Sequence, residues 1–222
     1  LSLEQAPQGL FLLWLSFMGL LVFAASVIGQ HGLWRRLIQA DPTGLTIVIV
    51  MLFITCSLWV GSRSWQLGLQ WQTLHQTPDQ KIQQSMTWAS DYLSARAHPE
   101  TDKGVLQQVL SDRAHGPQEM AWWLNGIQLK LGLLGKVIGF SVLAFELGSM
   151  DSFDPQQSAQ MLKSLTGGLG IALLTTITGL TANILLGLQL MRLDRFADGL
   201  VAEILKRGEA QAMATSADKA SA

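Results

Sequence analysis

The residues with the most chemical promise lie in one uncharged run, Leu165 to Leu190, reading LTGGLGIALLTTITGLTANILLGLQL. Gly168, Ala172, Thr176, Gly179, Asn183 and Gly187 recur there at steps of three or four. That spacing places them on one face of a helix, with Leu, Ile and further Thr on the others. The run exceeds the roughly 20 apolar residues that a helix needs to cross a bilayer. Small and weakly polar side chains on one face of such a helix allow close packing, or passage of something along it. Other chemistry is absent from the sequence. His31, His75, His98 and His115 are scattered without metal-ligand spacing. Gly167-Gly168-x-Gly170 sits inside an apolar run and lacks the Lys-Ser/Thr ending of a phosphate-binding loop. Nothing has the pattern of a nucleophile elbow. No enzyme active site, metal or cofactor is expected.

The elements that must position this face are legible in the composition. The chain has 222 residues, 49% hydrophobic and only 14% charged, against about a quarter charged in soluble domains. Long uncharged runs alternate with polar ones, the signature of an integral membrane protein. A net charge of −1 argues against nucleic acid as a partner. The single cysteine, Cys56, excludes an intrachain disulfide and makes a thiolate metal site unpromising. Eight Trp stand against one Tyr. Trp14, Trp34, Trp59, Trp65, Trp122 and Trp123 fall in or near the ends of apolar runs, where an interfacial belt or packing inside a bundle would use them.

The fold expected is all-α: a polytopic membrane protein with four transmembrane helices and a cytoplasmic helical region. The first span is Gly9 to Gly29, read as a retained helix rather than a cleaved leader because its apolar core is long and lacks a basic start. The second is Leu45 to Gly61, announced by the turn and helix start Asp41-Pro42-Thr43-Gly44. The third covers Leu131 to Gly148, interrupted by Lys136 and Glu146, and the fourth is the Leu165 run. A short link, Ser149 to Gln160, makes the last two an antiparallel hairpin. Between the hairpins, Ser62 to Gly126 is polar, with breaks expected at Thr77-Pro78-Asp79, His98-Pro99 and Gly116-Pro117, giving two or three soluble helices. Past the fourth span, Leu193, Phe196, Leu200, Val201 and Ile204 form an apolar stripe that continues the helix, and Ala210 to Ala222 are expected to be disordered. The division is therefore 9–61, a transmembrane hairpin; 62–126, a cytoplasmic helical loop; 127–191, a second transmembrane hairpin; and 192–222, a cytoplasmic helix and tail.

Basic residues concentrate in the soluble stretch and the tail, and the link between the last two spans has none. The positive-inside rule then places both termini and the large loop in the cytoplasm. Arg35 and Arg36, in the first link, run against that assignment.

Two motifs carry a family resemblance. Leu131 to Phe140 reads LGLLGKVIGF, and Gly168 to Ile184 reads GLGIALLTTITGLTANI. Together they resemble the MotA/TolQ/ExbB family of ion-driven motor subunits. The matching positions are Leu131, Gly132, Leu133, Leu134, Gly135, Val137 and Gly139, then Gly168, Ala172, Leu173, Leu174, Thr176, Gly179 and Leu180. Thr175-Thr176 and Ala182-Asn183, with four spans and a large loop after the second, look most like the flagellar MotA branch. The resemblance implies a homo-pentamer in a bacterial inner membrane around two copies of a single-span partner, MotB-, ExbD- or TolR-like, whose membrane Asp carries a proton or sodium ion. It implies that 127–191 lines the ion path. Thr176 would be the hydroxyl nearest that Asp, and Thr175 would add oxygen toward a sodium site, with Asn183 in the same path. Gly132, Gly135, Gly139, Gly168, Ala172 and Gly179 would give the partner helix close approach. Hydroxyls of Thr175, Thr178 and Thr181 have the competing use of bonding back to the preceding turn's carbonyls.

Lys136 departs from the family pattern, which has a Thr or small residue there. It shares the face of Gly132 and Gly139. A charge inside a membrane helix is costly and marks function by default. Three uses compete: pairing with the partner's Asp, acting as a neutral relay after desolvation, or snorkelling to cytoplasmic water. Glu146, near the outer end of the third span, would gather cations at the mouth or face headgroups as an ordinary helix-end residue. The acid of the ExbB pattern is absent, with Ile171 in its place. The function expected is a motor subunit converting ion-motive force into torque or pull, its loop of residues 62–126 gripping a load. The alternative is a non-conducting membrane scaffold of the same family. A secondary transporter is a weaker third reading, because the halves show no internal repeat.

Overall fold

The computed structural model describes residues 9–30, 41, 43–76, 87–96, 102–148 and 155–221, with side chains apart from those at 76, 146, 155–161, 163, 164, 171 and 214–221. The described residues contain five helices and no strand: α1 (Gly9–Gln30), α2 (Leu45–Gln76), α3 (Trp88–Arg96), α4 (Lys103–Gly148) and α5 (Pro155–Ser221). Four of them hold stretches long and apolar enough to cross a membrane, Gly9–Gln30, Leu45–His75, Lys103–Phe145 and Leu165–Met213. That is the pattern of a multi-pass membrane protein, and the all-α fold class stands.

Several boundaries differ from the sequence reading. The helix holding the second span continues to Gln76, and α4 runs through Pro117 for 46 residues. A proline inside a helix removes one backbone bond at a cost of about 3 kcal/mol. Here its ring is exposed while Leu110, Ala114 and Gln118 stay buried on an adjoining stripe, so packing carries the helix across the gap. The breaks expected at Pro78 and Pro99 fall outside the described residues, as do Arg35 and Arg36. The last link is shorter than Ser149–Gln160, because α5 opens at Pro155, whose missing N–H costs nothing in the first turn. Residues 210–221, expected to be disordered, continue α5 to Ser221.

The Asp41–Gly44 turn is formed as expected. Gly44 takes φ +71°, a left-handed conformation that glycine adopts without penalty, and its N–H donates to Asp41 O at 3.3 Å. The Asp41 carboxylate accepts from Thr43 N (3.1 Å), Thr46 N (2.6 Å) and the Thr43 hydroxyl, satisfying amides that open α2.

The chain forms two compact units. The first comprises residues 1–16, 59–120 and 189–222. Its core is aliphatic. Val60, Leu67 and Leu74 of α2 are buried at heptad spacing, and Leu190, Leu193, Ala197, Leu200 and Ile204 of α5 at alternating steps of three and four. This is the spacing of a coiled-coil seam. Of the tail stripe read from sequence, Phe196 packs on Trp71 at 5.4 Å and Val201 is half-buried. Trp14 fills the space over Gly61, and Phe11 stacks on Trp14 at 5.7 Å and meets Trp65 edge-on at 5.0 Å. Arg207 donates to the Leu74 carbonyl at 2.5 Å, and His115 pairs with Asp198 at 2.9 Å.

The second unit comprises residues 17–58 and 121–188. Its buried positions include Thr46, Ile49, Cys56 and Ser57 of α2. From α4 come Asn125, Gln128 and Leu143, and from α5 Ala172, Thr175, Ala182 and Leu186. Cys56 is free.

Candidate functional site

The two motifs meet in the second unit as an antiparallel contact between α4 and α5. A Cβ on Gly132 would lie 3.1 Å from Thr175 O and 3.2 Å from Gly179 Cα. One on Gly139 would lie 2.8 Å from both Ala172 N and Gly168 O. One on Gly179 would lie 2.8 Å from Gln128 O, and one on Gly135 would overlap the Thr175 side chain. The two backbones therefore touch, and no residue larger than glycine fits at these crossings. So Gly132, Gly135, Gly139, Gly168, Ala172 and Gly179, expected to admit a partner's helix, admit each other's. The close approach that small residues permit is used within the chain.

The buried face of α5 keeps Gly168, Ala172 and Gly179 of the face read in the sequence, but takes Thr175, Ala182 and Leu186 in place of Thr176, Asn183 and Gly187. Thr175 is fully buried and Ala182 buried, whereas Thr176 and Asn183 are half-buried on its flank. Both choices satisfy a three-or-four spacing, and only contact with α4 selects between them. The Thr175 hydroxyl donates to Ala172 O at 3.5 Å. The Thr176 hydroxyl donates to the same carbonyl at 2.7 Å and lies 3.3 Å from Gly132 O, a residue 44 positions away. A hydroxyl has one proton and two lone pairs. With its proton committed to a carbonyl, Thr176 presents an oxygen that can accept a hydrogen bond or ligate a cation, and it carries no charge. Thr178 donates to Leu174 O at 2.9 Å, the local bond that was the alternative to a role in the path. Asn183 Nδ2 donates to Asn125 O at 2.8 Å, pinning the α5 flank to α4.

Two polar residues not singled out in the sequence enter this contact. Asn125 and Gln128 precede Gly132, Gly135 and Gly139 on one face of α4, and both are buried. Asn125 Oδ1 and both amide atoms of Gln128 have no hydrogen-bond partner among the described residues. The signal was available: the steps 125, 128, 132, 135, 139 extend the glycine stripe by two amides. A span that begins at Leu131 leaves them outside it.

Lys136 is exposed, and none of the ion pairs among the described residues includes it. Around it Leu133, Leu134, Val137 and Phe140 are each about half exposed. Glu146 lies in α4, but its side chain is outside the described residues. Among the described residues no group of three His, Cys, Asp or Glu could hold a metal ion.

In the first unit several charged side chains of residues 62–126 are engaged locally. Arg113 pairs with Asp91 at 2.5 Å, and Arg96 Nη1 donates to Tyr92 Oη at 3.1 Å. Arg63 Nη1 donates to Gln66 Oε1 at 2.9 Å, with its guanidinium 6.0 Å from the Trp88 ring centre. Asp102 Oδ1 accepts from Gly104 N at 2.8 Å, and Glu100 is outside the described residues.

No family model, curated protein or solved structure matches this chain.

Proposed function

We propose that this chain is a bacterial inner-membrane subunit of an ion-driven motor of the MotA/TolQ/ExbB kind, with both termini cytoplasmic. It forms a pentamer around a dimeric single-span partner whose membrane carboxylate carries a proton or sodium ion. The observation that carries this reading is the meeting of the two motifs, with the Thr176 hydroxyl 3.3 Å from Gly132 O across the α4–α5 crossing. A hairpin thinned by Gly132, Gly139 and Gly179 is narrow enough for several copies to ring a central helix. Thr176, on its half-buried flank, offers a neutral oxygen to a passing ion without the cost of a buried charge. The helices of residues 62–126 then transmit force to a load.

The test is co-expression with a single-span candidate partner and ion uptake into vesicles. Wild type is expected to take up protons or sodium, and Thr176→Ala to abolish uptake while leaving assembly intact. A monomer or dimer in mild detergent would sink the pentamer. One observation favours the second reading, a non-conducting scaffold: five exposed Lys136 ammoniums about a path would repel cations. If Lys136→Thr conducts and wild type does not, Lys136 is a plug. If neither conducts and the complex still assembles, the scaffold reading wins.

A further inference from the structure

Asn125 and Gln128 begin the stripe of α4 that continues as Gly132, Gly135 and Gly139 and meets α5. Their backbones are engaged there. Asn125 O accepts from Asn183 Nδ2 at 2.8 Å, and Gln128 O lies 2.8 Å from where a Cβ on Gly179 would stand. Their side-chain amides are not engaged. Gln128 is 0% exposed and Asn125 5%. Yet Gln128 Oε1, Gln128 Nε2 and Asn125 Oδ1 have no hydrogen-bond partner among the described residues. Those residues surround the amides with described side chains over Leu45–His75 of α2, and over Leu165–Met213 of α5 except Ile171. Ile171 is eight residues from Gly179, about 12 Å along the axis.

Buried amides in folded proteins are paired, with protein or with water. The unpaired atoms here define what would pair them. Two carbonyl oxygens need donors, and one nitrogen needs an acceptor. Exchanging O and N on Gln128 leaves that demand unchanged, since both are unpaired. A cation answers the oxygens alone, and an anion the nitrogen alone. The full burial of Gln128 keeps out a headgroup or another polypeptide's side chain. Water is small, donates and accepts, and is held inside proteins by typically about three such groups.

We infer that Asn125 and Gln128 hold ordered water between α4 and α5. One molecule donates to Asn125 Oδ1 and Gln128 Oε1, and a second accepts from Gln128 Nε2. The Gln128 side chain turns to seat them. They enter at Gly187, which is half-buried and lies beside Asn125 Nδ2, 3.3 Å from where a Cβ would stand. The amide end of the seam is therefore wet. The glycine end, where Gly135 and Gly139 meet Thr175 and Ala172, is dry. Nothing in this rests on the motor reading, and flux plays no part in its test.

The full chain in phosphatidylcholine bicelles, with labelled Gln and Gly, is studied by proton NMR. Rotating-frame cross-peaks from water separate dipolar contact from chemical exchange by their sign. A dipolar contact is expected at the Gln128 side-chain amide and none at the α-protons of Gly135 and Gly139. Gln128→Met assigns the amide by removing its signal, and Gln128→Asn does the same if the first variant does not fold. Asn125→Leu, with Gln128 in place, should lose the contact. Absence of the contact in wild type overturns the inference, and that measurement needs no folded Asn125 variant. A contact of equal strength at Gly135 and Gly139 also overturns it, because water would then leak through the whole seam. So does one that survives in Asn125→Leu, since the two amides would not hold the water jointly. Cross-peaks from lipid acyl protons in place of water would put lipid in the seam, with the same result.

Discussion

Along α5, the buried positions run in one seam at steps of three and four, but what fills them changes partway. In the second unit the seam is Gly168, Ala172, Thr175, Gly179 and Ala182. In the first unit it is Leu190, Leu193, Ala197, Leu200 and Ile204. The same helix with the same periodicity packs by backbone contact in one stretch and by aliphatic side chains in the other. Under the proposed topology, α5 passing from lipid into water would account for the difference. In water, burying a leucine is worth about 1.5–3 kcal/mol. In lipid, the acyl chains are as apolar as leucine, and association depends on close approach and hydrogen bonds. A seam of Gly, Ala and Thr, with Asn183 bonded to Asn125, suits the second condition. A seam of Leu and Ile suits the first.

The largest way to break this contrast is to put a large side chain in the tight seam. Gly139→Leu would drive its Cβ to within 2.8 Å of Ala172 N and Gly168 O, which are backbone atoms and cannot rotate away. We expect a loss above about 3 kcal/mol, beyond ordinary overpacking because the helices must separate. Unfolding in bicelles with added denaturing detergent measures it. A loss below about 1 kcal/mol would mean that α4 and α5 do not touch there.

In the aliphatic seam the opposite change is the damaging one. Leu200→Ala empties a fully buried site, and about 3 kcal/mol is expected from lost transfer energy and the cavity left behind. Proteolysis of the first unit in membranes should accelerate accordingly. If Leu200→Ala is neutral, that seam is not a packed core.

How much of this was readable beforehand differs between the units. The spans were legible because a run such as Leu165–Leu190 has no charge and needs no neighbour to interpret. The stripe at Leu193, Leu200 and Ile204 was legible for the same reason, since large apolar residues at helical spacing have one common use. The facing of the small residues was not. Thr175 and Thr176 are adjacent, either fits the spacing, and only the α4 backbone at Gly132 and Gly135 decides which is buried. Nor was the path of α4 through Pro117 legible, because local preference favours a break and the stripe of Leu110, Ala114 and Gln118 overrides it. Asn125 and Gln128 escaped because polar residues beside a span look like its end.

A smaller effect tests the polar edge of the second unit. Burial pushes the Asp41 carboxyl up, but bonds from Thr43 and Thr46 outweigh it and hold the group below its ordinary value of 3.8. A lowered folded value means that the contribution is complete above the unfolded value and is lost as pH falls through the folded one. Protection of the Thr46 amide against hydrogen exchange should therefore hold from neutral pH to about 4 and fall below it. In Asp41→Asn the protection should be lower and flat with pH. An unchanged profile in that variant would show that the carboxylate does not cap α2.

The smallest expected effect is also the most discriminating, because it compares two glycines six residues apart on α4. A Cβ at Gly126 meets nothing within 4 Å, while one at Gly132 meets Thr175 O at 3.1 Å and Gly179 Cα at 3.2 Å. Alanine is favoured over glycine in a helix interior by up to about 1 kcal/mol. Gly126→Ala should therefore be neutral or stabilising by no more than that amount. Gly132→Ala has the same intrinsic gain but must push α5 away, so its sign should reverse. If both stabilise, helix propensity alone governs α4 and the contact is loose. If both destabilise, Gly126 is also at a packed surface, which in a lone subunit it is not, and a second chain must cover it. The opposite signs are what a hairpin held by backbone contact requires, since one methyl group is then enough to distinguish a face that touches from a face that does not.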